Sequence, residues 1–313
     1  MRTAPALDGS ASAEAVLAHH SKTFNWAARL IPRDRRRDFA VLYAFCRYVD
    51  DLVDEAESEA EAREALAGLR ADLDAGVSEQ PLVAAFLELA GARSIDPRLP
   101  RELVLGCESD LGTVRVADDA ELLLYCYRVA STVGLMICDV AGVPEPEARP
   151  FAVDLGIGMQ ITNICRDVAE DYERGRIYIP ATRVAPETIE AAVRRDDTCV
   201  QAAVFAGLQD LLDLAGDYYA SAEQGMRYLP LWCRAAVLTA GRTYAAIGQV
   251  IRRRGPDAIH RRAWTTKGMK AHSTAGAALD LAVRPMFRRS GPAPRHDAEL
   301  HRLLPDLPGV GGR

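Results

Sequence analysis

Two runs of acidic side chains carry the chemistry open to this chain. The first lies in Tyr43-Ala-Phe-Cys-Arg47-Tyr-Val-Asp50-Asp51-Leu-Val-Asp54-Glu55. On a helix, Asp50 and Asp54 stand one turn apart on one face, with Asp51 three residues before Asp54 and Arg47 three before Asp50. Carboxylates stacked this way repel one another unless a cation lies between them. A lone DDxxD also describes a solvated helix end, but the apolar flank Phe39 to Phe45 and the in-register Arg47 favour a site.

The second run spans Asp154 to Asp171. Asn163, Asp167 and Asp171 fall at i, i+4 and i+8, with Gln160 about one turn before Asn163. Leu155, Ile157, Ile161, Ile164 and Val168 occupy the other faces. Buried dry and unpaired, such an oxygen ladder would be costly, whereas lining a wet, metal-bearing cavity it is stable. An amphipathic surface helix is the alternative, but such faces usually mix Lys with Glu, and Arg166 is the one base here before Arg174. Two carboxylate stripes suit hard divalent cations of the Mg²⁺ type, which take oxygen ligands and share them with phosphate. His19 and His20 are adjacent and the other four histidines scattered, so no histidine site and no zinc is expected. There is no GxSxG elbow, and Gly156 to Gly158 is a two-glycine fragment of a helix rather than a phosphate loop.

The elements that must hold these residues are helical. Apolar residues recur at spacings of three and four almost throughout, while alternating runs long enough for a sheet are missing. The fold class expected is all-α. Segments such as Arg35 to Glu55, Ala120 to Ala141 and Ala148 to Asp171 are long enough to cross a domain. No linker divides the 313 residues internally, so the expected plan is a flexible segment over 1–14, one domain over 15–290 and a poorly ordered Pro/Gly-rich tail over 291–313. Hydrophobic residues make up 49% of the chain and charged residues 26%, a balance that folds. The net charge of -6 gives no global reason to bind nucleic acid. Seven cysteines without a CxxC read as reduced thiols, no signal peptide is evident, and no stretch reads as a membrane span, so a cytoplasmic protein is expected.

At these residues the chain resembles the squalene and phytoene synthase family, the head-to-head prenyl synthases. The resemblance runs from about His20 to Lys270 and includes His20-Ser-Lys-Thr-Phe24, Tyr43 through Asp54, Tyr125-Cys-Tyr-Arg-Val-Ala-Ser-Thr-Val-Gly134, Asp154 through Asp171, and Arg174-Gly-Arg-Ile-Tyr-Ile-Pro180. Tyr244 and the pair Arg261-Arg262 resemble C-terminal substrate contacts of the family. Ser131, Cys165 and Ala169 depart from the family's usual Gly, Leu and Gly, changes that bear on chain length rather than on the chemistry.

The resemblance implies an isoprenoid-synthase-type helical bundle around a central cavity and a Mg²⁺-dependent enzyme, with Mn²⁺ able to substitute. It implies Asp50, Asp54, Asp167 and Asp171 as metal ligands, with Asp51 and Glu170 behind them. Tyr43, Arg47, Tyr125, Arg166 and Tyr244 are implied as catalytic, and Ser21, Lys22, Gln160, Asn163, Arg176 and Arg262 as substrate-binding. Two prenyl diphosphates would condense through a cyclopropylcarbinyl diphosphate, with no NADPH needed if the product is phytoene. The HSKTF, CRYVDDLVDE and NICRDVAEDYERGRIYIP stretches look closer to bacterial phytoene synthases. The alternatives are a farnesyl-using squalene-type, presqualene diphosphate or hydroxysqualene synthase and, from another class, a catalytically silent helical scaffold that binds lipid or a partner. Peripheral membrane association through the basic stretch Arg252 to Lys270 is a further expectation.

Overall fold

The computed structural model describes residues 32–194, 197–283 and 293–312. The expected flexible segment over 1–14 and the candidate residues Ser21 and Lys22 lie outside the described residues.

Helices make up most of the described chain, in agreement with its periodicity. α1 (Arg33–Asp54) buries Val41, Leu42, Phe45 and Val49 and leaves Arg47, Asp50 and Asp54 on another face. α2 (Glu59–Ala75) begins where the Ser58 hydroxyl accepts from Glu61 N at 3.2 Å and ends at Gly76, whose φ of 68° suits a residue without Cβ. α3 (Pro81–Arg93) stacks Phe86 on Phe45 of α1, and α4 (Arg98–Glu108) closes this half.

The central helix is one run of three parts: α5 (Asp119–Cys126), a π turn over Tyr127–Ser131 and α6 (Thr132–Ala141). By length and apolar composition, Asp119–Ala141 is the one helix among the described residues able to cross a membrane, which corrects the expectation that no stretch qualifies. Half of its apolar window is buried inside the protein, as a core helix requires. α7 (Arg149–Arg166) lies against it and packs most extensively on α10 (Thr198–Gly225). Gly156 makes the approach to the central helix close: a Cβ there would sit 2.5 Å from the Ser131 backbone. Ser131 in turn donates its hydroxyl to the Val153 carbonyl at 2.7 Å. These contacts press the π turn, a departure from α geometry frequent at functional sites, onto the helix bearing the second acidic run.

The remaining elements are α8 (Val168–Glu173), α9 (Pro186–Arg194), α11 (Leu231–Arg254) and α12 (Lys267–Val283). The expected single helix from Ala148 to Asp171 is broken at Asp167, whose φ of -110° and ψ of 19° are not helical. Register survives the break, because Asp167 N donates to Asn163 O at 3.0 Å and Asp171 N to Asp167 O at 2.8 Å. Two short strands, β1 (Val114–Arg115) and β2 (Arg176–Ile177), pair in parallel and tie the stretch after α8 to the chain before α5. Two residues each are too short to register as alternation in a sequence.

The C-terminal segment differs from expectation. Residues 293–312 are not a loose tail but fold onto α7 and the central helix: Tyr127 donates to Pro308 O at 2.8 Å, Tyr218 to Leu300 O at 2.7 Å, and Gly309 lies against Leu135 and Val153. Its Pro and Gly content obscured Leu300, Leu304, Leu307 and Val310, which join the main core. His296 and His301, read as scattered, converge on buried Asp154.

Candidate active site

The two acidic runs face each other across one cleft of about 230 Å³. α1 contributes Arg47, Asp50, Val53 and Asp54, the central helix Tyr125 and Val129, α7 Gln160, Asn163, Ile164 and Arg166, and the broken segment Asp167 and Asp171. Of the candidates named from the sequence, all four metal-ligand aspartates, Arg47, Tyr125, Gln160, Asn163, Arg166 and Arg176 therefore line one space. Tyr43, Tyr244 and Arg262 stand behind it. Tyr244 is hydrogen-bonded to Arg166, and Tyr43 lies within electrostatic reach of Tyr244, Arg47 and Asp50. Burial raises the phenol pKa of both tyrosines.

Arginines already hold several of the carboxylates. Arg47 pairs with Asp51, one turn away, rather than with Asp50. Asp54 is reached by Arg174 Nη1 at 3.0 Å and Arg176 Nη1 at 3.2 Å. Asp167 accepts from Arg166 Nε at 2.8 Å and forms an ion pair with Arg262, whose Nε lies 3.0 Å away, while Arg262 Nη1 donates to Glu170 at 2.6 Å. Arg262, not Arg261, is thus the member of the pair that reaches the acidic run, through Asp167 and Glu170.

Asp50 and Asp171 are treated differently. Asp50 accepts only a weak thiol hydrogen bond from Cys107 at 3.4 Å, and burial pushes its pKa up to about 6. The Asp171 carboxylate has no hydrogen bond or ion pair among the described residues. Burial, with the negative charge of Asp167 beside it, pushes its pKa up to about 8. Asn163 donates its amide to Gln160 at 3.1 Å and leaves its own Oδ1 buried without a partner. Four carboxylates, one orphaned amide oxygen and no nitrogen ligand make a hard donor set, and two of its members, Asp50 and Asp171, have no ion pair among the described residues. Hard divalent cations fit it.

Besides apolar wall residues, four residues of the cleft escaped the sequence reading as site residues. Asp110, in the turn after α4, accepts from Tyr178 at 2.6 Å and from Tyr125 at 3.1 Å, and the two tyrosine rings stack at 4.5 Å. Burial raises the Asp110 pKa to about 6. Arg176 Nε donates to the Asp110 carbonyl at 3.1 Å. Cys107 and Arg174 complete the set. A lone Asp in a Ser-Asp-Leu-Gly turn carries no spacing signal, and Tyr178 stands inside a quoted motif without a charged neighbour to mark it.

A second, smaller pocket of about 30 Å³ is walled mainly by apolar side chains of α7, α10 and α11, among them Leu155, Met226, Val237 and Leu238. Of the basic stretch, Arg252 pairs with Asp213 and Arg254 donates to the carbonyls of Arg261 and Arg262. Arg253, Arg261 and Lys267 are exposed, as is Trp264, which is 63% exposed.

A helical bundle in which two aspartate-bearing helices meet across a cleft ringed with arginines defines a class of protein built to hold metal ions and a polyanionic group together. The sequence matches the squalene/phytoene synthase family over residues 17–268. The chain belongs to that family. It is 34% identical over 311 residues to a phytoene synthase of Pseudescherichia vulneris, with 94% of this chain and 97% of that protein covered. It is 36% identical over 264 residues to a 15-cis-phytoene synthase of a Paracoccus species, covering 80% and 84%. Among solved structures, a dehydrosqualene synthase superposes with a TM-score of 0.74 at 24% identity, covering 88% of this chain and 96% of that one. The squalene synthase of Alicyclobacillus acidocaldarius superposes with a TM-score of 0.69 at 23% identity, covering 79% and 94%.

Proposed function

We infer that this protein is a prenyltransferase of the phytoene synthase type, joining two geranylgeranyl diphosphates head to head and releasing diphosphate. The observation that carries the reading is the convergence of Asp50, Asp54, Asp167 and Asp171 with Arg47, Arg166, Arg174 and Arg176 on one cleft, in a chain whose relatives over most of its length are phytoene synthases. The four aspartates would hold Mg²⁺, with Asn163 Oδ1 as a further oxygen donor. Bound there, the metal would neutralise the leaving diphosphate.

The side chains divide the remaining work. Arg174 and Arg176, now on Asp54, and Arg166 and Arg262, now on Asp167, are placed to transfer their donors to diphosphate oxygens once the carboxylates are otherwise engaged. Tyr125 and Tyr178 bring ring faces to the cleft wall, and Tyr43 and Tyr244 stand near its arginine side, where they can face an allylic cation. Val129 and Ile164 keep that part of the wall apolar and poor in nucleophiles.

Incubation with geranylgeranyl diphosphate and Mg²⁺ tests the reading. A forty-carbon hydrocarbon with a conjugated triene, formed at the same rate with and without NADPH, is the expected product. Thirty-carbon products alone, with farnesyl diphosphate the better substrate, would replace it with a squalene-type activity. We further propose a cytoplasmic enzyme that attaches peripherally to anionic membranes through Arg253, Arg261, Lys267 and Trp264. Co-sedimentation with liposomes that ignores both anionic lipid and salt would remove that attachment.

A further inference from the structure

We propose that Asp154, His296 and His301 form a second metal site, for a borderline divalent cation of the zinc type, separate from the acidic cleft. One carboxylate and two imidazoles place a ligand atom each within 4.8 Å of one another. His296 Nε2 lies 2.9 Å from Asp154 Oδ2 and His301 Nε2 lies 2.9 Å from Asp154 Oδ1. The three side chains are 10%, 2% and 0% exposed for His296, His301 and Asp154. Both imidazoles present the same nitrogen to the same carboxylate, although 142 and 147 residues separate them from it.

Hydrogen bonding alone requires less than is present. Ser221 Oγ already donates to Asp154 Oδ2 at 2.6 Å, and one imidazolium would neutralise the carboxylate. The second imidazole is surplus to that need, but two imidazoles and a carboxylate are the protein ligands of a familiar zinc set. Tetrahedral zinc, with bonds of about 2.0–2.2 Å, sets its ligand atoms about 3.3 Å apart, so ligand atoms that lie within 4.8 Å of one another need to close by at most about 1.5 Å to share one ion. The Ser221 hydroxyl then orients the carboxylate from behind, and the Phe151 ring, edge-on to His296 at 5.4 Å, fixes that imidazole. His296 and His301 are four residues apart in the interval between them, a spacing used by zinc-binding histidine pairs. Ligation moves the ring proton to Nδ1, and His301 Nδ1 is buried without a partner. Affinity is therefore lower than at a four-ligand structural site whose histidines donate to acceptors.

The site differs from the cleft in position and in chemistry. Asp154 precedes Gln160 by six residues on α7, about 120° away around the helix axis. Nitrogen donors select against Mg²⁺, and the cleft has none. A metal here would pin residues 293–312 to α7, the helix that carries Gln160 and Asn163, and so couple the C-terminal segment to the stability of the catalytic wall.

The test uses the full chain, stripped with EDTA, in excess Mg²⁺, titrated with Co²⁺ and then with Zn²⁺. One equivalent of Co²⁺ giving the visible absorption of a tetrahedral nitrogen/oxygen site, displaced by Zn²⁺, is expected. The band should be lost in His296→Gln and His301→Gln and retained in Asp171→Asn. Zn²⁺ should raise the Tm of the wild type and of Asp171→Asn but not of the histidine variants. If the histidine variants do not fold, side-chain nitrogen spectra of wild-type histidines with and without Zn²⁺ decide, because ligation shifts Nε2 of two residues. No stoichiometric band and no nitrogen shift would mean a hydrogen-bonded clasp only. A band that disappears in Asp171→Asn would put the cation in the cleft. Either result overturns the proposal.

Discussion

Arg176 Nη1 lies 3.2 Å from Asp54 Oδ1, joining the stretch after the second acidic run directly to the last aspartate of the first. The two residues are 122 positions apart, and Arg174 reaches the same carboxylate at 3.0 Å. A carboxylate and a guanidinium from the two acidic segments thus neutralise each other across the cleft, which lets the two acidic helices approach.

Asp50→Ala and Asp171→Ala should each lower turnover at limiting Mg²⁺ by at least about a hundredfold, with the helical circular dichroism unchanged. Neither side chain supports the fold through an ion pair: Asp50 holds a thiol hydrogen bond and Asp171 none. Asp51→Ala should cost less, since it pairs with Arg47 rather than lining the cleft. Near-normal steady-state rates in either of the first two variants would defeat the assignment.

Asp110→Asn should lower kcat by about 10- to 100-fold with the helical content intact, because an amide cannot accept from Tyr125 and Tyr178 as a carboxylate does. Tyr125→Phe should cost little more in the Asp110→Asn background than Asp110→Asn alone costs. Fully additive losses in that double-mutant cycle would show that the tyrosine does not act through Asp110.

Metal binding should be coupled to proton release. With the Asp171 pKa pushed up to about 8 by burial and by Asp167, its carboxyl is mostly protonated at pH 7 and must ionise to bind a cation. Calorimetric titration with Mg²⁺ in buffers of different ionisation enthalpy should show about one proton released at pH 7, falling toward none at pH 9. The folded, metal-free chain binds more protons than the unfolded one between the ordinary carboxylate range and about 8, so its stability falls as pH rises through that window. Mg²⁺ should flatten the fall. A proton count of zero at pH 7 would contradict the raised value.

The sequence by itself determined the helical class, the two acidic stripes and most of the cleft. Helical periodicity and i, i+4 spacing are local, and local repetition places Asp50 with Asp54, and Asn163 with Asp167 and Asp171, whatever the helices later pack against. It also carried the family motifs, because their residues are contiguous. Only the tertiary structure decided which partners these residues take. Asp110 reaches Tyr125 and Tyr178 through chain reversals that leave no periodic trace. Arg262 rather than Arg261 reaches Asp167, a choice between adjacent identical residues that only the packed chain makes. The C-terminal segment shows the limit most plainly: its prolines and glycines predict looseness, yet His296 and His301 lie against Asp154, a carboxylate on a helix far away in sequence. Burying that carboxylate is unfavourable without partners, and no pattern within either segment states that the other supplies them.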